Sequence, residues 1–207
     1  AVKQDNIRVF NAVYADPDAL DAVIDDLAGT PSLRVDTERL EDDLETIPWV
    51  DEARVRVSFP NSATIELLER EAIATYQAPD QGYRVIDRDG RVLDVRPGYP
   101  FAYVLIMGPD PVDLEPGEFA PQGYAAAAEL AKNLTPSIRG QVEWIEVTAD
   151  GSNLTLLLVD GTEVRFGAAR DLFNKLLRLE TTLANNPDLE PGVIDVSTSE
   201  VTFGSQL

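Results

Sequence analysis

The run Leu40-Glu41-Asp42-Asp43-Leu44-Glu45-Thr46-Ile47-Pro48-Trp49-Val50-Asp51-Glu52-Ala53-Arg54-Val55-Arg56-Val57-Ser58-Phe59-Pro60 changes its hydrophobic period at a proline. Before it, Leu40, Leu44 and Ile47 share one helical stripe, and Glu41, Asp42, Asp43 and Glu45 occupy the other faces. Pro48 stops the helix, because its ring disfavours the α conformation in the residue before it. After it, Ala53, Val55, Val57 and Phe59 alternate with Arg54, Arg56 and Ser58, the pattern of a strand with one buried face. Pro60-Asn61-Ser62 turns the chain. Ala63, Ile65 and Leu67 then alternate with Thr64 and Glu66 in a returning strand.

Working upstream, the apolar, β-prone stretch from Ile7 to Tyr14 predicts a strand. Asp16-Pro17 opens a helix, with aspartate as N-cap and proline in the first turn. Leu20, Val23, Ile24 and Leu27 recur at helical spacing, Gly29 suits the C-terminal cap, and Asp36-Thr37 starts the next helix. The order is therefore strand, helix, helix, strand, strand. A small sheet covered on one side by two helices buries these stripes economically.

Downstream the strands multiply. Residues from Ile73 to Gln77, Tyr83 to Ile86, Val92 to Val95, Tyr103 to Met107, Val142 to Val147, Leu154 to Val159 and Val164 to Phe166 are strand-like. Asp89-Gly90, Asp150-Gly151-Ser152-Asn153 and Asp160-Gly161 mark hairpin turns. The proline- and acid-rich stretch from Gly108 to Pro121 is a surface loop. Two helices are expected. One spans Tyr124 to Leu134, with Pro136 beyond it, and the other is marked by Leu172, Phe173, Leu176, Leu177 and Leu183. Gly192 opens the final stretch, Val193 to Val196 and then Glu200 to Phe203.

Composition narrows the function classes. With 17 basic against 37 acidic residues, the net charge of −20 repels nucleic acid and anionic lipid. The chain has no cysteine and no histidine, which removes disulfides, thiolate nucleophiles, serine–histidine triads and cysteine or histidine metal sites. An EF-hand loop counted from Asp87 would place Val92 and Gly98 where glycine and glutamate are required. There is no glycine-rich phosphate loop and no G-x-S-x-G elbow. We expect no catalytic residues, no metal, no cofactor and no small-molecule substrate. No stretch approaches the ~20 apolar residues that span a bilayer. The chain opens on Ala1, as an excised segment would, with its membrane anchor left out.

Several of these stretches together resemble the extracytoplasmic part of the FtsQ/DivIB family. They are Gly29-Thr30-Pro31-Ser32-Leu33-x-Val35-Asp36, Ile47-Pro48-Trp49-Val50, Ala53-x-Val55-x-Val57-x-Phe59-Pro60 and Ile65-x-Leu67-x-Glu69-Arg70. Further on they are Val85-Ile86-Asp87-x-x-Gly90-x-Val92, then Leu156-x-Leu158-x-Asp160-Gly161-x-x-Val164-x-x-Gly167 with Lys175 and Leu179, and Ile194-Asp195-Val196-Ser197. The chain departs from the family at Asn11, where a glycine is usual, and at Ala72, where proline is common. The resemblance implies an α+β fold: a small βααββ POTRA domain over residues 1–70, then a mostly antiparallel β-sheet domain with two helices over residues 71–207. It also implies a non-catalytic cell-division scaffold at the septum. Such a scaffold is held in the cell membrane by one N-terminal transmembrane helix missing from this chain and lies on the extracytoplasmic side.

The resemblance further implies FtsB-like and FtsL-like partners, docking by β-strand addition at the terminal edge strand. Val193, Asp195, Ser197, Glu200, Val201, Thr202 and Phe203 are the candidate contact residues, with Phe203 as aromatic anchor. A second partner is expected at a strand edge of the POTRA unit. The alternatives are a POTRA-containing transport or outer-membrane insertion component and, from another class, a secreted wall-active enzyme. The first would carry tandem POTRA units and a β-barrel, whereas one βααββ unit occurs here.

Overall fold

In the computed structural model, which describes residues 1–186, 190–198 and 200–204, Asp16 accepts the Asp18 amide at 3.3 Å and so caps α1, Pro17–Leu27. Asp36 accepts the Arg39 amide at 3.2 Å and caps α2, Thr37–Glu45. Both carboxylates also sit at the positive end of a helix dipole. Gly29 follows α1 with φ +84°, a conformation that glycine adopts without Cβ strain. These helices cover a three-stranded sheet of β1, Ile7–Phe10, β2, Val50–Ser58, and β3, Ser62–Glu69. The strand order is β1-β3-β2, with β1 parallel and β2 antiparallel to β3.

Leu20, Leu27, Leu40, Leu44, Val50, Ala53, Val55, Ala63, Ile65 and Leu67 form this unit's core. The first strand is shorter than its apolar run predicts. It ends at Phe10 because Asn11 turns to φ 61°, and Val13 and Tyr14 are exposed. Phe59 is not on the buried face either. It lies past the end of β2 and is 80% exposed.

The chain divides into two compact units, Ala1–Glu71 and Ala72–Leu207. The second is a nine-stranded sheet of β4, Ala74–Gln77, β5, Tyr83–Ile86, β6, Val92–Arg96, β7, Val104–Met107, β8, Val142–Val147, β9, Leu154–Leu158, β10, Glu163–Gly167, β11, Val193–Asp195, and β12, Thr202–Gly204. Its order is β12-β11-β10-β9-β8-β7-β4-β5-β6. The hairpin turns at Gly90, Gly151 and Gly161 all carry positive φ, as the Asp-Gly and Gly-x signals require. Antiparallel pairing predominates. Parallel pairs occur at β4–β7, β7–β8 and β10–β11. The crossovers between β7 and β8 and between β10 and β11 carry the helices, α3, Gln122–Asn133, then the single turn α4, Pro136–Arg139, and α5, Leu172–Asn185.

One core gathers Tyr76, Tyr124, Leu130, Ile138, Ile145, Leu156, Phe166, Leu176 and Leu179. Phe173 and Leu177, counted among the apolar positions of α5, are exposed at 76% and 51%. They sit one turn apart on a flank, while Leu176 and Leu179 take the buried stripe.

Candidate docking edge

A single row of side chains crosses the second sheet by direct register: Ile106–Ile145–Leu156–Val164–Ile194–Phe203. Residues in register share a face of the sheet. The first five are at most 1% exposed, and Phe203, on the edge strand β12, is 55% exposed. The apolar row thus continues to the sheet's margin and is left uncovered there.

Backbone parity shows what else β12 offers. Val196 N–H donates to Arg165 O at 2.9 Å and Glu163 N–H donates to Gly192 O at 2.8 Å. Residues 192, 194 and 196 therefore turn their backbone groups toward β10, and Val193 and Asp195 turn theirs toward β12. Their partners Gly204 and Thr202 face inward in return. Phe203, opposite Ile194, directs its N–H and C=O away from the sheet, with no partner among the described residues. Val201 has the same outward parity, and its side chain packs partly against the core.

The seven candidate residues therefore separate. Val193 and Asp195 lie on β11, which is paired on both sides and has no free edge. Asp195 Oδ1 accepts Ser197 N–H at 2.8 Å and Ser197 Oγ at 2.6 Å, a turn that ends the strand. Glu200 is exposed in the connection, where its carbonyl accepts Thr198 Oγ1 at 3.0 Å. Thr202 is exposed, but its backbone is spent on Asp195. Only Phe203 combines an exposed side chain with outward backbone groups. Gly192 makes the close β11–β12 approach feasible, since a Cβ there would stand 2.9 Å from Gly204 O.

Two cations of α5 fix the strands behind this edge. Lys175 Nζ donates to Phe166 O at 2.8 Å and Ala168 O at 2.9 Å, at the end of β10. Arg178 Nη2 donates to Val196 O at 3.2 Å, just past β11. Burial, and then the neighbouring Arg178, push the Lys175 ammonium below its ordinary pKa. The K-x-x-x-L spacing marked Lys175, but nothing in the sequence joins it to carbonyls of a preceding strand.

The opposite edge, β6, is closed. Val92 N–H donates to Glu118 O and Val92 O accepts Gly117 N–H, both at 2.8 Å. Asp94 Oδ1 takes the Val95 amide at 2.7 Å, and Pro97 follows the strand. A cavity of about 590 Å³ lies between Ser137, Gln141, Asp160, Thr162 and Glu180. Hydrogen bonds from Ser137 and Thr135 hold its Glu180 carboxyl below the ordinary value, so that group is an ionised acceptor already engaged.

Residues 2–70 match the family described as POTRA domain, FtsQ-type, and residues 74–197 match cell division protein FtsQ/DivIB, C-terminal. β12 lies past the end of that second match. The cell division protein FtsQ of Mycolicibacterium smegmatis is 30% identical over 174 residues, covering 84% of this chain and 48% of that protein. FtsQ of Corynebacterium glutamicum is 27% identical over 188 residues, covering 88% of this chain and 79% of that one. The chain thus spans about half the length of the first relative and most of the second. The solved extracytoplasmic domain of the cell division protein DivIB from Geobacillus stearothermophilus aligns with 59% of this chain and 99% of its own at TM-score 0.38 and 16% identity. So low a score carries no fold equivalence, and membership rests on the sequence matches.

Proposed function

Because this chain belongs to the FtsQ/DivIB family of cell-division proteins, we propose that it is a non-catalytic scaffold of the division complex, docking partner segments by strand addition at β12. The expected partners are FtsB-like and FtsL-like proteins held in the same membrane. The proposed single-pass anchor holds this region on the extracytoplasmic side of the membrane; among the described residues no helix is long and apolar enough to cross a bilayer.

One observation carries this reading. The buried row ending at Ile194 continues to Phe203, whose side chain is 55% exposed and whose backbone groups point outward. An added strand would cover both. Each ladder bond contributes about 0.5–1.5 kcal/mol net. Burying the rest of Phe203 contributes about 1–2 kcal/mol more. Two tethered partners would also meet at high effective concentration, so modest intrinsic affinity suffices. The closed state of β6 supports β12 over the sheet's other margin.

The test is calorimetry with the extracytoplasmic segment of the same organism's FtsB-like protein. Phe203→Ala is expected to weaken binding about tenfold or more, with unchanged circular dichroism. Wild-type affinity in that variant would move docking elsewhere.

A further inference from the structure

The sheet of the first unit has its own exposed margin, β2, and that margin is occupied from within. Glu41 Oε1 accepts the Val55 amide at 2.7 Å, and Glu45 Oε1 accepts the Ala53 amide at 3.1 Å. The spacing explains the fit. Glu41 and Glu45 stand one turn apart on α2, about 6 Å along the axis. Ala53 and Val55 are alternate residues of β2, about 6.6–6.8 Å apart. Their amides point away from β3 because they reach the glutamates instead. Two helix carboxylates thus stand where the carbonyls of a neighbouring strand would be.

We propose that β2 is a masked strand-addition edge, held closed by Glu41 and Glu45, whose occupant once they are removed is β2 of a second copy of this chain. The face of β2 turned from the helices supplies the complementarity. Glu52, Arg54 and Arg56 are exposed there on alternate positions. Antiparallel pairing of two copies about Arg54 sets each Glu52 opposite the other copy's Arg56. It also brings Ala53 opposite Val55, both with outward amides, in hydrogen-bonded register. Two opposite-charge pairs face one Arg54–Arg54 contact, each Glu52 sharing an Arg56 guanidinium that also bridges its own copy's Glu66 at 2.9 Å. The wild-type carboxylates remove this arrangement by consuming the donors, which is how a bare edge is kept from pairing.

The experiment is sedimentation velocity of the 207-residue chain over a concentration series. Glu41→Ala/Glu45→Ala is expected to dimerise about tenfold more tightly than wild type. Glu41→Gln/Glu45→Gln keeps a carbonyl acceptor at each place and is expected to follow wild type. Adding Val55→Pro to the alanine pair removes an outward donor without removing a β2–β3 hydrogen bond and should restore the wild-type state, with circular dichroism checking that the change at this core position has left the unit folded. An alanine pair that associates no more than wild type overturns the proposal, as does association that survives Val55→Pro. Amide exchange in the single variants guards against a folding artefact. Val55 should lose protection in Glu41→Ala, and Ala53 in Glu45→Ala. Exchange equal to wild type at both amides overturns the masking itself.

Discussion

Glu69 Oε1 lies 2.7 Å from the backbone nitrogen of Tyr14, and the same oxygen accepts the amides of Val13 and Ala15, each at 2.8 Å. Three successive N–H groups of the β1–α1 loop converge on one carboxylate oxygen at the end of β3. Next to it, Arg70 reaches Asp51 at 3.0 Å and Val50 O at 3.2 Å. The Glu69-Arg70 dipeptide holds two different segments, and the loop it fixes stacks Tyr14 on Trp49 with ring centroids 4.8 Å apart.

From this clamp we expect Glu69→Ala to destabilise the first unit by about 1–3 kcal/mol, from the loss of three bonds to one charged acceptor, of which the one from the Ala15 amide is part-buried. Glu69→Gln retains one acceptor oxygen and should cost less. Urea denaturation gives the free energy, and Trp49 emission, read in a Trp144→Phe background, should shift as Tyr14 leaves the ring. Equal stability of Glu69→Ala and wild type would remove the clamp.

Tyr76 and Tyr124 pack ring against ring at 4.6 Å, and their hydroxyls donate to Val112 O at 3.1 Å and Pro109 O at 3.4 Å. Burial raises both phenols, Tyr124 to about 12 and Tyr76 further. A folded pKa above the unfolded value of 10.0 means the neutral form is favoured in the fold. The stability this contributes is complete below about pH 10 and is lost as pH rises toward 12 and beyond. In a spectrophotometric titration of the six tyrosines, these two should ionise last and together with loss of near-ultraviolet dichroism. Ionisation of all six at ordinary values in folded protein would contradict it.

Lys175 offers a third test. Methionine keeps the apolar stem but abandons two carbonyls at the end of β10. We expect Lys175→Met to cost about 2–4 kcal/mol, from two acceptors left without a donor, measured by urea unfolding of the second unit. Because Lys175 and Arg178 hold the ends of β10 and β11, partner affinity should fall with it. A stable variant with unchanged binding would separate the helix from the docking edge.

Much of the architecture was legible because it depends on short-range signals. The period change at Pro48 located α2 and β2, and each Asp-Gly turn located a hairpin. The parallel pairings were not legible, since they depend on which distant strands meet across a helix. Glu41, Glu45 and Glu69 were invisible for another reason. Among 37 acidic residues, a carboxylate that caps a strand edge has the same sequence appearance as one that only faces water. The terminal stretch was found, but its seven candidates were not equivalent. Whether a backbone group points inward or outward follows from hydrogen-bond parity, which no side-chain pattern encodes.

That parity decides where a proline can blunt the docking edge. A proline at Thr202 looks like the way to blunt the docking edge, because edge strands tolerate proline. The Thr202 backbone instead faces β11 opposite Asp195, so Thr202→Pro should break the β11–β12 hairpin itself. The outward donors are Val201 and Phe203. Val201→Pro should leave the hairpin paired and remove one donor that an added strand would use. In the unbound chain, Thr202 and Gly204 amides should exchange slowly and Phe203 fast, and partner binding should slow Phe203. Val201→Pro should weaken binding about three- to tenfold, the loss of one net backbone bond, with Thr202 and Gly204 still protected. Thr202→Pro should expose Gly204 and loosen Ile194 as well. If Phe203 is already protected in the unbound chain, or if Val201→Pro binds at wild-type strength, the partner does not add to this edge.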